Sequence, residues 1–305
     1  MAEFFSTTPA QIALAFLLDL ILGDPRFLPH PARFAGWLAK HLETLTTTLF
    51  GRTIAAGALF WLLVCLGQLL IPGALAWTIP AKIWWFVEIW IIYQCFAAMD
   101  MHRHVRAILL PLREGNLELA REKLSWIVGR DTKKLDESGV SRATIESVGE
   151  SACDAVVAPL FWVALLGPFG GLVYRTTNTL DSIVGHRGER YGRFGKWSAR
   201  ADDVLNWLSA RLVALLIQPH RIRQIWREAR RHRSPNAGWG EAAIAYSLGV
   251  RLGGKNEYDG RILEGPVFNE SGAQPDSRSV SRSLGWWWAA VLAGLAATIV
   301  LSWLR

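Results

Sequence analysis

The chain has 305 residues, of which 51% are hydrophobic and 19% charged, with a formal net charge of +7. That apolar content excludes a disordered polar chain. The three cysteines, Cys65, Cys95 and Cys153, give neither a disulfide framework nor a zinc-ligand spacing. No nucleic-acid-binding motif accompanies the basic balance, so the excess of Lys and Arg is expected to orient loops at a membrane.

Residues 10–22 form a short apolar run containing Asp19, and the N-terminus ahead of it lacks the basic region of a signal peptide, so this run is expected to be retained. Residues 24–52 read as a polar loop, with Gly23-Asp24-Pro25 and Pro29-His30-Pro31 as turns that would stiffen it and project Asp24, His30 and Arg33. Segment 54–77 has no formal charge, segment 83–99 carries only Glu88, and a short turn around Pro72–Pro80 makes them a membrane hairpin. Each approaches the roughly 20 residues that cross a bilayer as a helix. Residues 100–150 are hydrophilic and helix-prone. Segment 155–175 is apolar but broken by Pro159, Pro168 and several glycines; 203–218 is short and contains Arg211. Between them, 178–202 is dense in charge, with Arg187, Arg190, Arg193, Lys196 and Arg200 interleaved with Asp181, Glu189 and Asp202. Residues 219–284 read as a basic loop region whose last part, 271–283, is a linker, and 285–304 is a final uncharged helix. Tryptophans such as Trp77, Trp84, Trp287 and Trp303 cluster near segment ends, as interfacial aromatic belts do.

The expected fold is all-α: a single membrane-embedded domain over 1–305, polytopic, with cytoplasmic helical loops at 100–150 and 219–284. A simple count of crossings would put 178–202 on the outer side. The breaks in 155–175 and the shortness of 203–218 instead suggest re-entrant or cavity-lining helices, which are tolerated against protein or water.

Charge beside an apolar segment is costly unless it meets other charges, a metal or a ligand. Glu146, Glu150 and Asp154 are spaced i, i+4, i+8, which on a uniform α-helix places three carboxylates on one face. Mg²⁺ takes oxygen ligands of that kind, although a solvated acidic face at a helix start reads equally well. Ser234-Pro235-Asn236-Ala237-Gly238 reads as a turn before an Ala-rich helix containing Glu241. GVRLGGKN at 249–256 nearly fits a P-loop, but Asn256 replaces the metal-binding hydroxyl and no strand precedes it. A Gly-rich turn where Arg251 or Lys255 meets an anion is the remaining reading.

Several blocks together resemble the cobalamin-biosynthesis CobD/CbiB family: LLDLILGDPRFLPHPARFAG at 17–36, APLFW at 158–162, YRTTNTLDSIVGHRGERYGRFG at 174–195, SARADDVLNWLSARL at 198–212 and SPNAGWGEAAIAYSLGVRLGG at 234–254. The resemblance runs from residue 17 to about 265. The chain departs from the family pattern at Ser151, Ala152 and Cys153, at His186 and Gly188, and at Gly240. The resemblance implies an adenosylcobinamide-phosphate synthase of the cell inner membrane: an ATP-dependent, Mg²⁺-requiring ligase. It would join the propionate carboxyl of adenosylcobyric acid to aminopropanol phosphate or a related amino alcohol. A carboxylate is inert to amines until activated, so such a route needs metal ligands, cations on phosphates and a base. On that expectation Glu146, Glu150 and Asp154 ligate metal. Asp181, Asp202, Asp203 and His30 are catalytic. Asp24, Arg33, Arg175, Asn178, Arg187, Arg190, Lys196, Arg200 and Asn236 bind substrate or phosphate. The implied partners are the corrinoid, the amino-alcohol phosphate, the lipid bilayer and neighbouring enzymes of the corrinoid pathway, with no nucleic acid. The alternative is a non-catalytic transporter or sensor for a corrinoid or other anion, whose charges would line a pathway.

Overall fold

The computed structural model describes residues 7–25, 27–185, 190–258 and 260–304. In chain order these form α1 (Pro9–Leu22), α2 (Pro31–Phe50), α3 (Ile54–Thr78), α4 (Ala81–Tyr93), α5 (Ala98–Arg113), α6 (Leu117–Leu124) and α7 (Glu137–Ser151). A π-helical stretch (Ala152–Val157) joins α7 to α8 (Ala158–Val184). Then follow α9 (Lys196–Ile217), a 3₁₀ turn (Pro219–Arg221), α10 (Ile222–Ala229), α11 (Ala237–Leu248), β1 (Leu252–Tyr258), β2 (Arg261–Phe268) and α12 (Ser277–Trp303). The chain divides into two units, one of Met1–Ala97, Ala158–Asn206 and Leu295–Arg305, the other of Ala98–Val157 and Trp207–Gly294.

In the first unit α1 opens on a capping box between Thr8 and Gln11. It packs on α4, where the Gln11 amide donates to Glu88 and to the Trp85 carbonyl. The stretch expected as a polar loop over 24–52 is mostly the 20-residue helix α2. Pro31 suits its first position, and the apolar stripe through Ala35 and Ala39 packs with Phe60 and Val64 of α3, Leu180 and Val184 of α8, and Phe194. Prolines and histidines at the start of the segment mask that stripe in the sequence. The expected span 83–99 is also corrected: α4 stops at Tyr93. There the Tyr93 hydroxyl donates to the Gly23 carbonyl (2.6 Å) and the Gln94 amide to the Pro29 carbonyl (2.6 Å), which turns the chain.

The break expected in 155–175 is present. Gly167 leaves helical geometry at φ 65° immediately before Pro168, whose ring and missing N–H interrupt the ladder. The charged block 178–202 is not a loop throughout; it comprises the end of α8, a connection, and the start of α9. Segment 203–218 is the later part of that 22-residue helix. Among the described residues, three stretches are long and apolar enough to cross a membrane: Ile54–Thr78, the joined run Glu137–Val184, and Ser277–Trp303. On α3 the side chains of Leu66, Leu70 and Ile71 face outward, and Trp77 and Trp303 are exposed near helix ends. Trp84 and Trp287, expected at an interface, are buried; Trp287 donates to Ser151 Oγ at 3.1 Å.

In the second unit α7 and α11 meet at their backbones. A Cβ on Gly240 would lie 2.1 Å from the Gly149 carbonyl oxygen, so neither position admits a side chain without separating the helices. The chain is nearly all-α as expected, and its departure from that class is here. Gly249 ends α11 in a left-handed cap, and β1 and β2 pair antiparallel, with a register shift between Gly253 and Lys255. The segment expected as linker is helical from Ser277 onward.

Candidate active site

Two polar clusters stand out among the described residues, one in each unit. In the first, α8 supplies Tyr174, Asn178 and Asp181, and α9 supplies Asp202, Asp203 and Asn206. Asp202 is buried, at 8% exposure. The Asn178 amide donates to its Oδ1 (3.2 Å) and the Asn206 amide to its Oδ2 (2.9 Å). The Tyr174 hydroxyl donates to Asn206 Oδ1 (2.7 Å), which fixes the direction of that amide. Burial, and then the negative charge of Asp181, push the Asp202 carboxyl up to about 7. Asp202 is therefore held in place by two amide donors while its carboxyl titrates near neutrality.

The other expected residues of this unit fall in different surroundings. Arg175 lies on α8 with its Nε buried and without a hydrogen-bond partner. Arg190 pairs with Glu43 (3.0 Å) and lies over the Tyr191 ring, and Glu43 also takes Arg52 (3.1 Å). Lys196 and Arg200 are exposed on the first turns of α9. Arg187 lies outside the described residues, as do His186 and Gly188. His30 caps α2: its Nδ1 accepts from the Ala32 N–H (3.1 Å) and its Nε2 faces Asp24 Oδ2 at 3.7 Å. Arg33 donates to the Leu28 carbonyl. Asp24, His30 and Arg33 thus share one tied loop, as the turn residues imply.

In the second cluster Glu146 forms an ion pair with Arg130 (2.6 Å) and accepts the Gly253 N–H (2.7 Å). Arg130 also donates to Asn256 Oδ1 (2.8 Å). The contact of α7 with α11 brings Glu146 and Glu150 towards Glu241. Burial pushes the Glu241 carboxyl well up, and the charges of Glu146 and Glu150 add to it. His232 Nε2 stands 3.8 Å from Glu241, and burial holds its imidazole low. A cavity of about 230 Å³ opens among Arg130, Glu146, Glu150, His232, Glu241 and Tyr258. Asn236 takes a hydrogen bond from Arg211 (3.0 Å), whose guanidinium lies over Trp207 and Trp239.

The expected metal set of Glu146, Glu150 and Asp154 is not gathered. The α spacing ends at Ser151 and the π-helical stretch, with its wider turn, carries Asp154 out of register. Glu146 is already committed to Arg130 and Gly253. Among the described residues no three His, Cys, Asp or Glu side chains group as a metal site. Asp181 and Asp202 are the carboxylates of the first unit whose charges act on each other, and both Asp202 oxygens accept amide hydrogen bonds. That repulsion disfavours ionising both at once.

Sequence reasoning missed Tyr174, Asn206, Arg130, His232 and Glu241 as site residues. Glu241 had a usable signal: it is the lone charge in AGWGEAAIAYSL, an otherwise uncharged helix. Asn206 lies one helical turn after Asp202 and was open to the same spacing argument.

These features define a mostly helical protein with membrane-length segments and buried carboxylates held by amide and guanidinium groups. The family model described as CobD/Cbib protein matches residues 12–287. A cobalamin biosynthesis protein CobD of Klebsiella pneumoniae is 36% identical over 303 residues, covering 93% of this chain and 94% of the relative. A CobD protein of Yersinia enterocolitica is 39% identical, covering 89% and 90%. A cobalamin biosynthesis protein CbiB of Salmonella arizonae is 36% identical, covering 93% and 94%. No solved structure matches. The chain belongs to the CobD/CbiB family.

Proposed function

We propose that the chain acts in cobalamin biosynthesis as a membrane-embedded ligase. It would join a corrinoid carboxyl to an amino-alcohol phosphate with consumption of ATP. Family membership and the names of its relatives support the pathway. The observation that carries the chemistry is Asp202, a buried carboxyl oriented by Asn178 and Asn206 beside Asp181.

Asp181 and Asp202 would hold Mg²⁺. When bound, the metal and its nucleotide supply a neutralised, transferable phosphoryl group that activates the corrinoid carboxylate. Asn178 and Asn206 keep Asp202 pointed in one direction, so the carboxylate reaches its ligand without reorganising. Arg175, with its buried unsatisfied Nε, and the exposed Lys196 and Arg200 bind phosphate oxygens. The amine arrives as ammonium and must lose a proton before it attacks. Asp203, half-buried on α9 and close enough for its charge to act on Asp202, accepts that proton.

The test is purified protein with adenosylcobyric acid, aminopropanol phosphate and Mg-ATP, assayed by mass for the amide. Product that needs all three, and is absent in folded Asp202→Asn protein, supports the reading. ATP-independent movement of corrinoid across vesicles without amide formation would replace it with transport.

A further inference from the structure

A second cavity, of about 650 Å³, opens in the unit that contains β1 and β2. Its wall includes Lys134, Arg142, Arg251 and Lys255, together with Gly253 and Gly254. Asp136 is the one carboxylate among its lining residues, and it is occupied in capping α7, where it accepts the Gly139 N–H at 2.7 Å. The volume is that of a small-molecule site rather than an ion site.

The local structure keeps this basic wall in place. Gly253 and Gly254 both have positive φ, 77° and 88°, and lie where the pairing of β1 and β2 shifts register. At Gly253 a Cβ would meet the Pro266 carbonyl oxygen at 2.0 Å, so the backbone itself forms the wall there. Arg142 stiffens the turn by donating to the carbonyls of Gly253 and Lys255 and to Asn256 Oδ1. Its charge therefore stays at the cavity whether or not a ligand is present. Arg251 has no ion pair among the described residues, and its backbone N–H is fixed to the Ala273 carbonyl (2.9 Å). Lys134 pairs with Glu257 and Lys255 with Glu264, but both lysines are largely exposed, and such pairs exchange readily for a better anion.

We infer that this cavity binds a phosphate-bearing small molecule. A compact polyanion meets four cations here, and among the described residues Arg142 and Arg251 are in no ion pair. A neutral or cationic ligand would leave that charge uncompensated. None of these residues is among those assigned to phosphate in the ligase reading, and the inference stands without that reading. Two sources share the chemistry: a free polyphosphate or nucleotide, and a phospholipid headgroup.

The experiment uses the full chain in detergent and in vesicles, without corrinoid or amine. Tripolyphosphate binding is measured by calorimetry on the parent protein and on Arg251→Ala/Lys255→Ala. Co-flotation is measured with phosphatidylglycerol and with phosphatidylcholine vesicles. Circular dichroism verifies the fold of the exposed double variant. Saturable tripolyphosphate binding weakened by about tenfold or more in the variant, with a steep salt dependence, assigns a free phosphate ligand. Phosphatidylglycerol-specific binding lost in the variant, without tripolyphosphate binding, assigns a lipid headgroup. Binding of both probes that is unchanged in the variant, or no saturable binding of either, overturns the inference. Because amide formation is assayed separately, failure here is distinguishable from failure of the ligase reading.

Discussion

Asp202 gives the sharpest stability prediction. Its carboxyl stands at about 7 in the folded protein against 3.8 for an ordinary aspartate. At about 1.4 kcal/mol per pH unit, holding it neutral at low pH and ionising it when buried differ by about 4 kcal/mol at most. Between about pH 4 and 7 the folded chain keeps a proton that the unfolded chain has released. The contribution of this group to stability is thus complete below about pH 4 and declines as pH rises to about 7. From pH 5 to 8 the parent should lose about 3 kcal/mol through this group, a relative shift in midpoint on the order of 5 °C. Asp202→Asn removes the titration. It also places an amide N–H₂ where Asn178 or Asn206 now donates, which costs about 1–3 kcal/mol but equally at every pH. The readout is therefore the difference in pH dependence, not the absolute midpoint. Thermal unfolding of detergent-solubilised protein, followed by the fluorescence of its 16 tryptophans, measures it. Parallel midpoint curves for parent and variant from pH 5 to 8 would refute the account.

On the proposed metal site, Mg²⁺ displaces the Asp202 proton to bind beside Asp181, so stabilisation by Mg²⁺ should increase as pH rises through about 7 and vanish in Asp181→Asn/Asp202→Asn. Glu146→Gln should destabilise by about 3–5 kcal/mol, because it strands the Arg130 guanidinium in a largely buried site; Glu241→Gln should be tolerated better, since burial and the charges of Glu146 and Glu150 already disfavour its ionised form. Chemical denaturation of the two variants at pH 7 separates them. Gly240→Ala should cost about 1–3 kcal/mol by forcing α7 from α11, whereas Gly73→Ala, with open space around the added carbon, should leave the midpoint in place.

How far the sequence is legible depends on what carries each feature. The break in α8 was visible because Gly167 and Pro168 act locally. The pairing of Asp202 with Asn178 was half visible: the block announced itself by charge density, but only the fold shows which carboxylate the amides hold. The metal assignment at Glu146, Glu150 and Asp154 extrapolates one helical period across a stretch that changes to π, and among the described residues those three do not group. The hairpin stayed hidden because Gly253, Gly254 and Lys255 break any apolar–polar alternation, and its pairing partner is held by backbone bonds. Helix α2 stayed hidden because Pro29, His30 and Pro31 dominate the approach to it while Ala35 and Ala39 contribute little apolar weight.

Both clusters share one physical plan. A helical carboxylate is buried, a second carboxylate is set against it, and amide or guanidinium groups fix its direction. At Asp202 the fixing groups are Asn178 and Asn206; in the second unit Arg130 and the Gly253 N–H hold Glu146, while Glu241 carries the repulsion. A chain optimised for stability alone gains nothing from either arrangement, since apolar replacements of such groups are often neutral or stabilising. Retaining strained carboxylates is understandable where they meet a cation, a proton or a phosphate-linked metal in use. On that argument, saturating Mg²⁺ should flatten the pH dependence attributed to Asp202 in the parent and leave that of Asp202→Asn unchanged. Equal Mg²⁺ effects on both proteins would separate the buried carboxylate from any metal.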